Sequence, residues 1–235
     1  MDKVLRASKA GFPCHRNLWY SVNGHKSSAN NTAYSKSQRI FDVGTYLEPL
    51  VVEWLRQDGW NVEYNPGSQN AALELSIPLN GGVLAGHPDC FISRPDGLQN
   101  VLADIKTMND RAFTQWKREG SIASKPQYVD QLHVYAMGAI QAGRTVEHLA
   151  IVGINKNNSD MHIDVFDFDP LRAEDIQNRA EIIFEAEVPP TENCPAENWC
   201  CGYCEFHSIC ELVNVPSDNQ EDNNSSTSVL HLHHQ

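Results

Sequence analysis

The sequence predicts an α/β domain, and three observations carry that prediction. Apolar runs joined by turn residues read as strands over 83–107 and again over 148–168. Apolar residues recur at helical spacing over 39–59 and 127–142, before and between those strands. At 235 residues and 41% hydrophobic content, the chain can bury one good core with a small appendage.

Taken in order, residues 8–22 hold Cys14 just before a short apolar segment, Leu18-Trp19-Tyr20. Residues 23–38 are polar and read as a loop or the start of a helix. The helix predicted over 39–59 presents Phe41, Leu47, Leu50, Val51, Trp54 and Leu55 on its apolar side, and Gly59 closes it. Residues 60–80 read as a strand, a turn at Asn65-Pro66-Gly67, and a second strand at about 72–77. Asn80-Gly81-Gly82 leads into a hairpin, with one strand at 83–93, the turn Pro95-Asp96-Gly97, and a second strand at about 98–107. The segment that follows interleaves Arg111, Lys117, Arg118 and Lys125 with Phe113 and Trp116. That pattern suits either a nucleic-acid strand or a solvated helix with Trp116 in the core.

Residues 127–142 form an amphipathic helix with Gln131 and Tyr135 on one face, four apart; His133, on another face, reads as structural. Residues 148–154 and 161–168 make a strand pair around Lys156-Asn157-Asn158-Ser159. Residues 171–187 make an acid-rich helix that Pro189-Pro190 ends. The tail from Pro216 is polar and low in complexity, which predicts disorder; His231, His233 and His234 in it are at most weak metal ligands.

The hairpin carries chemistry. Asp89 and Asp104 stand where core strands are apolar, and Lys106 leaves the second strand on the same face as Asp104. Two carboxylates at one point repel unless a cation sits between them, and hard oxygen ligands suit Mg²⁺ or Mn²⁺. A lysine beside them can orient a water or neutralise charge on a phosphoryl oxygen. An exposed Asp104–Lys106 ion pair is the bland alternative, and the apolar neighbours Val101-Leu102-Ala103 and Ile105 argue against it.

Composition limits the function classes. The net charge of −12 disfavours nonspecific binding to duplex DNA, although Met1 to Arg39 holds seven Lys or Arg against Asp2 alone. No stretch approaches the roughly 18 apolar residues of a membrane span, and the first residues have no signal-peptide core, so a cytoplasmic location is expected. Of seven cysteines, five fall within 194–210, which in that compartment reads as a metal site rather than a disulfide framework. No Gly-x₄-Gly-Lys-Ser/Thr loop appears, so there is no motor.

Pro88-Asp89 followed by Asp104-Ile105-Lys106 resembles the PD-(D/E)xK nuclease signature. GHPD and ADIKT resemble its RecB-like branch of AddB-type and CRISPR-associated (Cas-four-type) exonucleases. Gly44-x-x-x-Glu48 is similar to that group's first motif, with Glu48 where many relatives have histidine. Gln131-x-x-x-Tyr135 is similar to its accessory motif. Cys14 and Cys201-x₂-Cys204-x₅-Cys210 are similar to its iron–sulfur ligands, with Cys200 an alternative to Cys201 and Cys194 a spare.

The resemblance implies a central mixed sheet flanked by helices, a restriction-endonuclease-like core, with an iron–sulfur appendage built from both chain ends. The expected organisation is an N-terminal segment at 1–38, a nuclease core at 39–188, a cysteine segment at 189–215 and a disordered tail at 216–235. It implies a metal-dependent DNA exonuclease on single strands, with Asp89, Asp104 and Glu48 holding Mg²⁺ or Mn²⁺ and Lys106 positioning the attacking water. Gln131 and Tyr135 would contact the DNA, with Lys117 and Arg118 as further candidates. Glu53, a turn beyond Glu48, reads as a solvated acid. A 4Fe-4S cluster competes with a Zn²⁺ site in which His207 could replace a sulfur. The chain would act alone, as a homo-oligomer, or with partners in recombination or CRISPR adaptation. A non-catalytic adaptor for DNA ends and a structural zinc protein are the rival readings.

Overall fold

The computed structural model describes residues 3–26, 36–65, 74–191, 201 and 204–210. The predicted tail, its histidines, Cys194, Cys200 and the Pro66-Gly67 turn lie outside the described residues.

Strand β1 (Lys3–Arg6) leads into a single helical turn, α1 (Ala7–Ala10), and then α2 (His15–Val22), which Cys14 starts. The long helix α3 (Lys36–Gln57) follows, then β2 (Asn61–Tyr64), β3 (Leu75–Leu79), β4 (Gly82–Gly86), β5 (Cys90–Ser93) and β6 (Val101–Met108). After these come α4 (Asp110–Glu119), the short α5 (Ser121–Ser124), α6 (Pro126–Gln141), β7 (His148–Asn155), β8 (Met161–Asp167) and α7 (Pro170–Glu185). A short 3₁₀ turn occupies His207–Ile209.

The strands form two mixed sheets, one of five strands in the order β2-β5-β6-β7-β8 and one of three in the order β1-β4-β3. At the centre of the larger sheet, β6 and β7 run parallel and are largely buried on both faces, as strands covered on both sides are. On one face, Val101, Ala103 and Ile105 pack with Val51, Val52 and Leu55 of α3. On the other, Leu102, Leu149 and Ile151 pack in a core with α4, α6 and α7. This is the expected mixed sheet between helices. Helix α3 ends in a Schellman arrangement, with Trp60 N–H donating to the Leu55 carbonyl and Gly59 at φ +87°.

Three expectations are corrected. Residues 83–93 are not one strand: β4 belongs to the small sheet and β5 to the large one, and His87-Pro88-Asp89 carries the chain between them. Proline has no N–H to continue a ladder, so the switch falls there. The two strands read in 60–80 fall in different sheets as well, since Tyr64 pairs with Cys90 whereas Leu75 pairs with Gly86. Helix α6 is not amphipathic: Val129 through Ala139 are all buried, because it lies between the two sheets and α7. Phe41 and Leu50 are exposed rather than core. Of the two readings for the basic segment's aromatics, the core one holds for Trp116 and Phe113, both buried in α4.

Two internal contacts give stability predictions. A Cβ at Gly153 would sit 2.2 Å from Cζ3 of Trp116, whose buried Nε1 donates to Ser121 Oγ at 2.8 Å. Gly153→Ala therefore overpacks a rigid indole and is expected to cost about 3 kcal/mol in urea unfolding. His133, as expected, is structural: one ring nitrogen meets the Val129 carbonyl at 2.7 Å and the other accepts from Asp169 N–H at 3.2 Å. Burial lowers its pKa below the usual 6.5. The unfolded chain then takes up the proton first, so stability falls as pH drops below about 6.5 and levels off below the folded pKa. Melting curves from pH 8 to pH 5 should fall less steeply in His133→Gln than in the wild type.

Candidate active site

The site lies where the large sheet forks. Pairing between β5 and β6 ends at Cys90 opposite Ala103, one residue before Asp104. Beyond that point β6 keeps β7 on one side and, among the described residues, has no strand on the other. The N–H of Ile105, which a continuing ladder would have paired, instead donates to Asp89 Oδ2 at 2.7 Å. The strand switch thus places the Asp89 carboxylate against the edge that carries Asp104 and Lys106. Asn65 holds the switch in place: its N–H donates to the Asp89 carbonyl at 2.8 Å and its Nδ2 to the Pro88 carbonyl at 3.0 Å.

Asp104 is 1% exposed and lies 2.5 Å from Lys106 Nζ through Oδ2, as the shared strand face predicts. That contact is an ion pair off the geometry of a hydrogen bond, and among the described residues the buried Oδ2 has no hydrogen-bond donor. Oδ1 receives a long contact from Gln131 Nε2 at 3.4 Å, and the same amide donates to Tyr135 Oη at 2.8 Å. Gln131 and Tyr135 are buried side by side and anchor Asp104. Lys106 also stands over the ring of Tyr128, at 5.2 Å.

The charges act on one another strongly. Burial disfavours the Lys106 ammonium, but Asp104 and Asp89 outweigh it and raise its pKa well above the ordinary lysine value. Asp89 keeps a path to solvent through a cavity yet is packed deep among protein atoms. Burial, then the Asp104 charge, pushes its carboxyl well above the usual range. Glu48 is raised by burial; the Lys106 charge opposes this and Asp104 reinforces it. Burial and then Asp104 raise Tyr135.

Glu48, Asp89 and Tyr135 share a cavity of about 450 Å³ with Arg6, Ser8, Thr45, Asn65 and His87. Pro49 follows Glu48 inside α3, and its missing N–H leaves the Thr45 carbonyl on the cavity wall without its usual helical partner. A Cβ at Gly86 would meet the Tyr135 ring at 2.6 Å and Ala7 Cβ at 2.9 Å, so only glycine lets the tyrosine reach the site.

The structure brings Glu48, Asp89, Asp104, Lys106, Gln131 and Tyr135 together. Lys117 and Arg118 are elsewhere, beside a depression of about 380 Å³ shared with Asp110, Asn155 and Asp160. Glu53 is exposed and paired with Arg56 at 2.5 Å. Asn65, Tyr128 and Pro49 escaped notice in the sequence. Asn65 read only as a turn residue, and the single available signal for Pro49 was a proline inside a helical pattern.

Among the described residues, no three Asp, Glu, His or Cys side chains converge on one metal-sized point. Asp89 is turned to Ile105 N–H and Asp104 to Lys106. The donor chemistry still suits Mg²⁺ or Mn²⁺: the acids offer only oxygen, and Asp104 Oδ2 is buried with no hydrogen-bond partner among the described residues.

The chain ends also meet. Tyr20 of α2 stacks near Phe206 (5.5 Å), and its hydroxyl donates to the Ile209 carbonyl at 3.4 Å. Asn17 Nδ2 points at Cys204 Sγ at 3.3 Å, and the buried Arg16 contacts Cys210. Lys9 pairs with Glu205 at 2.5 Å.

The large mixed sheet thus forks beside clustered acids and a lysine. The chain belongs to the PD-(D/E)XK nuclease superfamily, whose family model matches residues 42–211. Members of that superfamily typically use Mg²⁺ or Mn²⁺. Among solved structures the chain is similar to SSO0001, at 19% identity and TM-score 0.57, over 92% of this chain and 89% of that one. It is also similar to an alkaline exonuclease from Laribacter hongkongensis, at 14% identity and TM-score 0.52, over 76% of this chain and 84% of that one. At such identities the likeness is one of fold. No curated protein matches the chain significantly. No described helix is long and apolar enough to cross a membrane.

Proposed function

We propose that the chain is a metal-dependent DNA exonuclease acting on single strands, with Glu48, Asp89 and Asp104 as the metal-holding acids. One observation carries this reading: Asp89 is bonded to the edge of β6 that carries the Asp104–Lys106 pair, and Asp89 lines a cavity together with Glu48. Bound Mg²⁺ or Mn²⁺ would supply a positive clamp on phosphate oxygens and lower the pKa of a coordinated water. Lys106, kept protonated by its two acids, is a donor and not a base. It orients the attacking water and offsets charge that builds on the phosphoryl oxygens. Gln131 and Tyr135 hold Asp104 and present the Tyr135 edge to DNA in the cavity. The buried acids stay ready for a cation because burial and mutual repulsion make them unstable without one.

The test is a cleavage assay on single-stranded and duplex DNA labelled at either end, with Mn²⁺, Mg²⁺ or EDTA. Progressive release from one end of single strands, abolished by EDTA, supports the reading. Binding of DNA ends with no cleavage under any metal would replace it with the adaptor reading.

A 4Fe-4S cluster on Cys14, Cys201, Cys204 and Cys210 forms the second part of the proposal. What supports it is the packing of 204–210 on α2, with donors of Arg16 and Asn17 directed at Cys210 and Cys204 sulfurs. When bound, the cluster would tie the two ends of the chain together and serve a structural role. Iron and acid-labile sulfide in equal amounts in anaerobically purified protein support it, and zinc without iron overturns it. Recombination, repair and CRISPR spacer acquisition all need such an end-trimming activity, either from this chain alone or with partners.

A further inference from the structure

Helix α3 turns one face toward the large sheet. Leu55, Val52 and Val51 on that face are buried against the large sheet, and Glu48, one turn on, reaches the fork. Thr45 then lines the cavity, and Gly44 lies over the end of β6, where an added Cβ would be 3.7 Å from Thr107 Oγ1. The next residue on the face is Phe41, seven before Glu48 and therefore within about 20° of it around the helix and about 10 Å along it. Strand β6 ends at Met108, one residue past Thr107, and Phe41 is 67% exposed. An aromatic ring on the side of a helix that elsewhere points into the core, left bare one turn outside the cavity wall, is not where folding alone would place it.

We propose that Phe41 is a stacking platform for a base of the substrate strand that flanks the scissile phosphate. This rests on the nuclease reading, because it takes the DNA to enter past Glu48. Continuity with the cavity favours a base over other occupants, and so does charge. At −12, the chain gains little from phosphate attraction, whereas stacking on an aromatic face does not depend on net charge and accepts any base.

The test compares wild type, Phe41→Ala and Phe41→Trp on a single-stranded oligonucleotide with 2-aminopurine at successive positions from the end. Phe41→Ala is expected to raise KM about tenfold with little change in kcat, and Phe41→Trp to restore it. Fluorescence quenching of the 2-aminopurine at one position should vanish in Phe41→Ala and return in Phe41→Trp. Equal KM and equal quenching in wild type and Phe41→Ala overturn the proposal. So does a change in oligomeric mass with unchanged quenching, which would assign the face to a second copy of the chain. If wild type binds but does not cleave, the nuclease reading fails on its own, and the quenching comparison still decides the role of Phe41.

Discussion

Lys106→Met is expected to lower the cleavage rate about a hundred- to a thousandfold while leaving the fold and DNA binding in place. The methionine keeps the stem that packs beside Tyr128 and removes only the charge that neighbours Asp104 at 2.5 Å. Removal has a second consequence. Asp104 is 1% exposed, and without its partner a buried carboxylate must take up a proton or bind a cation. Thermal melting of Lys106→Met should therefore drop in EDTA and recover more than the wild type does when Mn²⁺ is added. Cleavage within twofold of wild type would remove Lys106 from the mechanism.

Asp89→Asn is expected to abolish metal-dependent cleavage to a similar extent and to stabilise the metal-free protein. The amide can still accept from Ile105 N–H, so the fork keeps its hydrogen bond while losing one of two repelling charges. Burial, followed by Asp104, holds the Asp89 carboxyl well above its ordinary 3.8. The sign follows from proton uptake: the folded state holds a proton that the unfolded chain releases near 3.8, so wild-type stability falls as pH rises from there through the folded value. The asparagine variant lacks that loss, and its advantage in EDTA melting should be larger at pH 8 than at pH 5. Added Mn²⁺ should stabilise the wild type and not the variant. A variant that melts lower than wild type at both pH values in EDTA would show that Asp89 is not held against its charge.

The two steps of the hairpin were legible at different depths. Asp104 and Lys106 could be placed on one face because strand geometry alternates with a period of two, whatever the tertiary setting. Gln131 and Tyr135 could be paired because a helix brings residues four apart together. The strand that Asp89 was assigned to, however, turned out to be two strands in two sheets. Periodicity is blind to that change, because β4 and β5 are both apolar and only Pro88 marks the break. Asn65 was opaque for the same reason: its function is to bond the backbone of residues 23 and 24 positions away, and no local pattern encodes such a contact. Phe41 read as core on spacing alone, since a helical wheel shows which side a residue faces and not whether the sheet extends far enough to cover it.

By itself the sequence determined the candidate residues, their order, and the local geometry that pairs them within one strand or one helix, the last of which follows from backbone periods of 2 and 3.6. Only the tertiary structure decided that the sheet forks after Ala103, that Asp89 caps the freed edge, that Glu48 reaches the fork from a different layer, and that the first and last cysteine segments meet. Those are contacts between residues far apart in the chain. They are selected by which apolar faces can be buried together, a sum over the whole core that no short stretch contains.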